Sequence, residues 1–313
     1  MRTAVYSHPA CARHDMGPGH PESPHRLAAI SDQLIATGLD VALAHHDAPA
    51  ASDADLGLAH DLGYIAEMRD FLEQIDKSGQ RRAFDADTIG SPGTLEAVRR
   101  AAGAAVAATD AVINGEAHNA FCAVRPPGHH ATHRQAMGFC FVNNVVVAAR
   151  HALDRRGLER VAIVDFDVHH GNGTEDIVAN DPRILMVGFF QHPLYPHSGL
   201  VPLGPNVHNF PVAPYTKGAE IRERIDQEWG PKLDAFKPQM LFVSAGFDAH
   251  REDDLGQLGL VEADYAWITR WLMAVAERHA KGRIVSCLEG GYNLSALARS
   301  VAAHLRVLAG VAG

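Results

Sequence analysis

Residues 161–174 read Val-Ala-Ile-Val-Asp-Phe-Asp-Val-His-His-Gly-Asn-Gly-Thr. An apolar, β-branched run ends in two acids and two histidines, Asp165, Asp167, His169 and His170. Carboxylate oxygens and imidazole nitrogens are the ligands of a catalytic divalent metal, zinc above all. The run itself reads as a strand buried on both faces. In open α/β sheets, ligands bind just beyond the carboxyl ends of the strands. Residues two apart on an extended chain point the same way, so Asp165, Asp167 and His169 are expected to share one side. Such groups behind a buried strand are costly without a metal or a hydrogen-bond partner, which argues against a merely solvated acidic loop. Gly171 and Gly173 are expected to break regular structure after them.

Three more apolar segments end in unusual polar groups. One runs into Arg125-Pro-Pro-Gly-His-His-Ala, one into Gly246-Phe-Asp-Ala-His and one into Glu289-Gly-Gly-Tyr-Asn. In a parallel sheet these ends lie on one rim and can converge. Asp167, His169 and Asp248 would then be three ligands, and the open fourth position marks a catalytic rather than a structural zinc. His129 and His130 suit general acid/base work on a metal-activated water. Tyr292 follows two glycines that permit a sharp turn, and its hydroxyl could donate to an oxyanion. Taken singly, Gly-Gly-Tyr is a turn, the Asp a cap and the His pair a surface feature. Four such pieces at four strand ends point to one site.

The elements that would position them follow from periodicity. Residues 3–7 are expected as a first strand, followed by a Gly-, Pro- and His-rich loop over 8–21. Ser23 is expected to cap a helix with Pro24 in its first turn, Leu27, Ile30 and Leu34 on its buried face and Gly38 at its end. Helical patterns also cover residues 62–77, 94–113, 144–156, 219–229 and Leu294–Leu308, and Tyr265, Ile268, Leu272 and Val275 mark another helix. Strands are expected at 121–124, 184–187, 240–245 and Ile284–Leu288 beside the central one. Residues 81–93, with Asp85 and Asp87, read as a polar loop, and 191–205 as a Pro-rich one. This alternation predicts an α/β fold: one domain over residues 1–313, with a central parallel sheet of about eight strands and helices on both faces.

Composition narrows the function. A net charge of −9 without a long basic run argues against nucleic acid and is compatible with cationic substrates. Cysteines at 11, 122, 140 and 287 form no CxxC pair, so reduced thiols in the cytoplasm are expected. No stretch is apolar and long enough for a membrane span, and the N-terminus does not read as a secretion signal. A homo-oligomer is compatible with the sequence.

The sequence resembles the zinc-dependent histone deacetylases and their bacterial relatives, which include acetylpolyamine amidohydrolases. The resemblance rests on Arg125-Pro-Pro-Gly-His-His-Ala, Gly138-Phe-Cys-Phe-Val-Asn-Asn, Asp165-Phe-Asp-Val-His-His-Gly-Asn-Gly-Thr, Ser244-Ala-Gly-Phe-Asp-Ala-His and Leu288-Glu-Gly-Gly-Tyr-Asn. Gly17-Pro-Gly-His-Pro-Glu and Pro193-Leu-Tyr-Pro also match, so it spans nearly the whole chain. It implies the arginase/deacetylase-like fold, one catalytic zinc on Asp167, His169 and Asp248, a tandem pair at His129 and His130, and Tyr292 as the group that polarises the scissile carbonyl. It implies that Asp165 supports the first histidine and Asn172 the second, with Asn there resembling class II enzymes. A structural potassium is implied at Asp165, Asp167, His169 and Gly188. Gly138, Phe139, Tyr195 and Leu255 would line a tunnel for an acyl-lysine stem or a related acylated amine, and an aromatic slot suits its methylenes. The implied reaction is amide hydrolysis: His130, helped by His129, takes a proton from water, Tyr292 helps hold the oxyanion, and a histidine protonates the leaving amine.

Some positions depart from the family pattern. Gly188-Phe189-Phe190 stands where relatives often have Ser-x-His, which removes a side chain near the potassium position. Leu255 stands where polyamine-specific relatives carry a Glu, so acyl-lysine is expected over free polyamine. Cys11 stands alone, without the Cys and His set that holds an extra structural zinc in one subclass. Ferrous iron is a second candidate metal, because these ligands are not strongly selective. A dimanganese ureohydrolase shares the fold, yet it needs more bridging carboxylates. An inactive acyl-lysine binding module would be expected to lack Tyr292, a histidine or a ligand, and the chain keeps them all.

Overall fold

The computed structural model describes residues 2–311. Its strands are β1 (Ala4–Ser7), β2 (Ala44–Asp47), β3 (Arg82–Ala83), β4 (Ile89–Gly90), β5 (Ala120–Cys122), β6 (Val161–Asp165), β7 (Ile184–Gln191), β8 (Val207–Val212), β9 (Leu241–Ala245) and β10 (Ile284–Leu288). The helices are α1 (His25–Ala36), α2 (Asp53–Leu56), α3 (Leu62–Ser78), α4 (Thr94–Asn114), α5 (Asn144–Asp154), α6 (Asn172–Val178), α7 (Gly218–Glu228), α8 (Gly230–Phe236), α9 (Glu262–His279) and α10 (Leu294–Leu308). Eight of the strands form one sheet in the order β2-β1-β5-β10-β9-β6-β7-β8, with every pair parallel.

The inner strands β5, β6, β7, β9 and β10 are buried at every position, and mostly apolar, because helices cover both faces. Alternate residues feed two cores. Ile163, Phe242 and Val285 pack against α3, α4 and α5. Val164, Val243 and Ile284 pack against α1, α7, α9 and α10. The chain after β5 and β6 passes to the first face, and the chain after β9 and β10 passes to the second. Their loops therefore part at the β5/β10 and β9/β6 boundaries, and a crevice opens where connections leave to opposite sides.

The parallel sheet and its two helical layers match the expected fold, and Ile284–Leu288 and Leu294–Leu308 match to the residue. Other boundaries differ. β2 and β8 fall at the sheet edges and were not expected. β2 reads Ala-His-His-Asp with three exposed residues, so it lacks the apolar signal of a strand covered on both sides. β8 carries Pro211, tolerated because an edge strand has no neighbour on one side. The 81–93 segment holds the β3/β4 hairpin. The helix expected over 219–229 is α7, and a further helix, α8, follows it with a proline in its first turn. In α1 no side chain caps the N-terminus, and Leu27 is only half-buried while Arg26 is fully buried. Gly173 does not break structure but lies within α6, where a Cβ would collide with the carbonyl of Ala131. Glycine there admits the close approach of α6 to the His129–His130 segment.

Candidate active site

The four polar strand ends belong to β5, β10, β9 and β6, which are neighbours at the centre of the sheet. Beyond Asp165, the last residue of β6, the chain leaves the extended conformation. Two tight turns follow, with the Asp167 N–H donating to Asp165 Oδ1 at 3.0 Å and the His169 N–H to Asp167 Oδ1 at 2.9 Å. Side chains two apart therefore do not all share one side. Asp167 and His169 meet Asp248, and Asp165 turns away to His129.

Asp167, His169 and Asp248 are buried and bring one ligand atom each within 4.8 Å of one another. His169 Nδ1 lies 3.0 Å from Asp167 Oδ1 and 3.2 Å from Asp248 Oδ2. The second oxygens are aimed by backbone donors: Gly290 N–H to Asp167 Oδ2 at 2.9 Å and Val168 N–H to Asp248 Oδ1 at 2.9 Å. Glycine is required at 290, since a Cβ there would collide with Asp248 Oδ2. That oxygen is buried and receives no hydrogen bond. Burial and the neighbouring charge of Asp167 push the Asp248 carboxyl up to about 7. Two carboxylates and an imidazole nitrogen converging in a dry place, one oxygen unsatisfied, fit a divalent cation.

The two adjacent histidines have different partners. His129 Nδ1 donates to Asp165 Oδ2 at 3.0 Å, and His130 Nδ1 donates to Asn172 Oδ1 at 2.7 Å. The Asn172 amide is itself oriented by Met137 Sδ at 3.3 Å. Burial works against a charged His129, but Asp167 and Asp165 outweigh it and hold its pKa well above 6.5. Burial, then the His129 and His169 charges, push His130 well below 6.5. The ring centroids lie 4.0 Å apart, so a proton on one disfavours a proton on the other.

His130, His169 and Tyr292 open onto a cavity of about 280 Å³ whose walls are Gly138, Phe139, Leu194, Tyr195, Leu255 and Asp87. Phe139 sits at φ +69°, held by its N–H donating to Thr88 Oγ at 3.0 Å. A Cβ at Gly138 would strike the His130 ring at 2.5 Å. Burial, with Asp248 and Asp167 nearby, raises the Tyr292 hydroxyl well above 10, so it stays a donor. All the expected tunnel residues line this cavity. Leu194 and Asp87 complete the wall.

Other supports were also invisible in the sequence. Arg26 donates to Gly291 O at 2.6 Å and Glu289 O at 2.5 Å, and it pairs with Glu22 at 3.0 Å. Arg125 forks onto the same Glu22 at 2.5 and 2.6 Å. Glu289 accepts from Gly128 N–H at 2.6 Å and His129 N–H at 3.0 Å, tying β10 to the histidine segment. The motifs contained Glu22, Arg125 and Glu289, but nothing in their spacing gave them partners. At Gly188, opposite Asp165, a Cβ would stand 2.8 Å from Asn209 Oδ1 and 3.1 Å from the Asp165 carbonyl. The Asn209 carboxamide oxygen, buried and unpartnered, therefore borders the space that a larger residue would fill.

Residues 20–308 match the histone deacetylase domain model. The chain is 37% identical to a probable deacetylase of Archaeoglobus fulgidus, over 94% of this chain and 82% of that one. It is also 37% identical to a histone deacetylase-like amidohydrolase of Pseudomonas aeruginosa, over 93% and 82%. The crystal structure of the HDA15 HD domain superposes with a TM-score of 0.92 at 31% identity, covering 99% of this chain and 88% of that one. The motifs, the sheet order and these likenesses agree, and the chain belongs to the histone deacetylase family of hydrolases.

Proposed function

We propose that residues 1–313 form one catalytic domain that removes acetyl or other acyl groups from lysine side chains or related acylated amines. The observation that carries this reading is the convergence of Asp167, His169 and Asp248 beside two histidines of opposite charge preference, with Tyr292 lining the same cavity. Asp167, His169 and Asp248 would hold zinc, or ferrous iron in its place. Such an ion supplies Lewis acidity to a carbonyl oxygen and acidifies a water. His130, neutral at neutral pH, takes the proton of the attacking water through Nε2. His129, charged and backed by Asp165, adds positive charge and holds a proton for the leaving amine. The Tyr292 hydroxyl donates to the oxyanion as the carbonyl becomes tetrahedral.

Phe139, Tyr195, Leu194 and Leu255 present a mostly apolar wall that suits a lysine stem. One observation favours a second reading. Asp87 lies on the wall beside Asp85, burial and that neighbour raise its carboxyl above the usual range, and a bound cation, the free amine of an acylated polyamine, would relieve the pair. We further propose a structural potassium near Asp165, Asp167, His169 and Gly188, with the Asn209 oxygen bordering it. Among the described residues the cysteines are free and buried, and no helix is long and apolar enough to cross a membrane. A cytoplasmic location is the reading that free thiols support.

The test is a turnover panel of acetyl-lysine peptides, longer acyl-lysine peptides and acetylated polyamines, run with zinc and with ferrous iron. Turnover of acyl-lysine peptides is the expected result. A polyamine preferred tenfold in kcat/KM, roughly 1.4 kcal/mol, would reverse the substrate assignment. Inertness toward every acylated amine would remove the reading.

A further inference from the structure

Asp253 lies in the loop after β9 and is 6% exposed. Its carboxylate accepts three backbone N–H groups from two separate segments. Oδ2 accepts from Tyr292 at 2.7 Å and from Asn293 at 3.0 Å, and Oδ1 accepts from Leu255 at 3.0 Å. Asp253 is itself tied by its N–H to the His250 carbonyl at 2.9 Å. Leu255 and Tyr292 are two walls of the same cavity, so one carboxylate fastens both.

The Tyr292 segment needs such a clasp. It follows Gly290-Gly291, with Gly291 at φ +124°, a conformation that side chains rarely adopt. Arg26 holds the Gly291 carbonyl at 2.6 Å, but the Tyr292 N–H has Asp253 as its partner. The hydroxyl sits at the far end of a rigid ring, so a small rotation of the Tyr292 peptide is enlarged at the oxygen. A carboxylate can serve both segments, since each of its oxygens accepts. A carboxamide offers only one acceptor oxygen and must aim its NH₂ at an N–H on the other side.

We propose that Asp253 is a positioning residue that clamps the backbone of Tyr292 to the loop carrying Leu255, and so holds the tyrosine hydroxyl where the scissile carbonyl is seated. The inference rests on the amidohydrolase reading above. Asp253 also helps close the start of α10, so a loss of stability alone would not distinguish this role. The distinguishing measurement is a double-mutant cycle of Asp253→Asn with Tyr292→Phe, read in kcat and KM on an acetyl-lysine peptide with zinc content checked in each variant. Asp253→Asn is expected to lower kcat between about 10- and 100-fold, as misplacements approaching 1 Å do. KM should stay within threefold and zinc content should not change. In the Tyr292→Phe background the same change should cost almost nothing, because there is no hydroxyl left to misplace. If Asp253→Asn does not fold, Asp253→Glu keeps both acceptors but moves them by a methylene, and the same pattern is expected. Additive costs, a defect confined to KM, or full kcat in a folded variant would each overturn the inference alone. A wild type inert on every acylated amine overturns the amidohydrolase reading, and the clasp falls with it.

Discussion

His129 Nδ1 and Asp165 Oδ2 stand 3.0 Å apart, both nearly sealed from solvent. The adjacent His130 has only the neutral amide of Asn172 behind it. Partners of different charge thus favour a protonated ring at His129 and a neutral one at His130. Replacing Asp165 by Asn removes the charge that stabilises the imidazolium. Turnover should fall within the roughly 10²–10⁴-fold range of acid–base assistance. Steady-state kinetics of Asp165→Asn beside Asn172→Ala would test this: equal, minor losses in both would show that neither histidine depends on its partner.

His130 has its pKa pushed well below 6.5 by burial and by the His129 and His169 charges. In the proposed mechanism His130 is the base and must be unprotonated, so activity should fall as pH drops through that lowered value, not near 6.5. A profile of kcat/KM against pH is expected to stay flat from pH 8 to about 6.5, the ordinary histidine value, and to bend only below it. Half-loss of activity at the ordinary value would contradict the assignment.

Asp248 supplies an oxygen that no donor satisfies, and Asp167 places a second negative charge beside it. Asp248→Ala should bind far less zinc, measured by elemental analysis of the dialysed protein. Chelation of the wild type should lower its melting temperature, because a cation bound only to the folded state stabilises it. Full zinc occupancy in the variant would show that the ligands lie elsewhere.

Tyr292 keeps its proton and lines the cavity with His130 and His169. Tyr292→Phe removes one hydroxyl and retains the ring that sits 5.1 Å from Arg26 and 5.8 Å from Phe139. Folding and zinc content should survive. Loss of one oxyanion donor typically costs about 10²–10³ in turnover, with little change in substrate affinity. Near wild-type turnover would mean that the metal polarises the carbonyl without it.

His60 joins α3's entry to α5. Its Nδ1–H donates to the Thr132 carbonyl at 2.9 Å, and its Nε2 accepts from the Asn143 N–H at 2.9 Å. That pattern requires a neutral ring, and burial lowers its pKa to about 4. Between the unfolded value near 6.5 and about 4, the unfolded chain binds the proton and the folded chain does not. Stability therefore rises with pH across this window and is lost on acidification. This one group contributes about 1.4 kcal/mol per pH unit crossed. Melting temperatures from pH 7 to 4 should fall more steeply for the wild type than for His60→Gln, whose amide can donate and accept without titrating. Identical slopes would place the acid sensitivity elsewhere.

Much of the site was legible because its signals are local. A strand buried on both faces must be apolar, so polar groups at its end stand out, and Asp167, His169, Asp248, His129, His130 and Tyr292 could all be named from four such ends. The tertiary structure decided what local patterns cannot carry. Spacing on an extended chain grouped Asp165 with Asp167 and His169, but two tight turns after β6 send Asp165 to His129 instead. The edge strands β2 and β8 gave no signal, since an edge loses the burial that makes inner strands readable. Glu22 and Arg26 reach the site from a loop and a helix start far from it along the chain, and Asp253, in the same loop as Asp248, reaches across to the backbone of Tyr292, so their neighbours in sequence say nothing of their partners. Sequence spacing fixes which groups arrive at a strand end. Which of them meet is set by the order of the strands across the sheet and by the face to which each following helix departs.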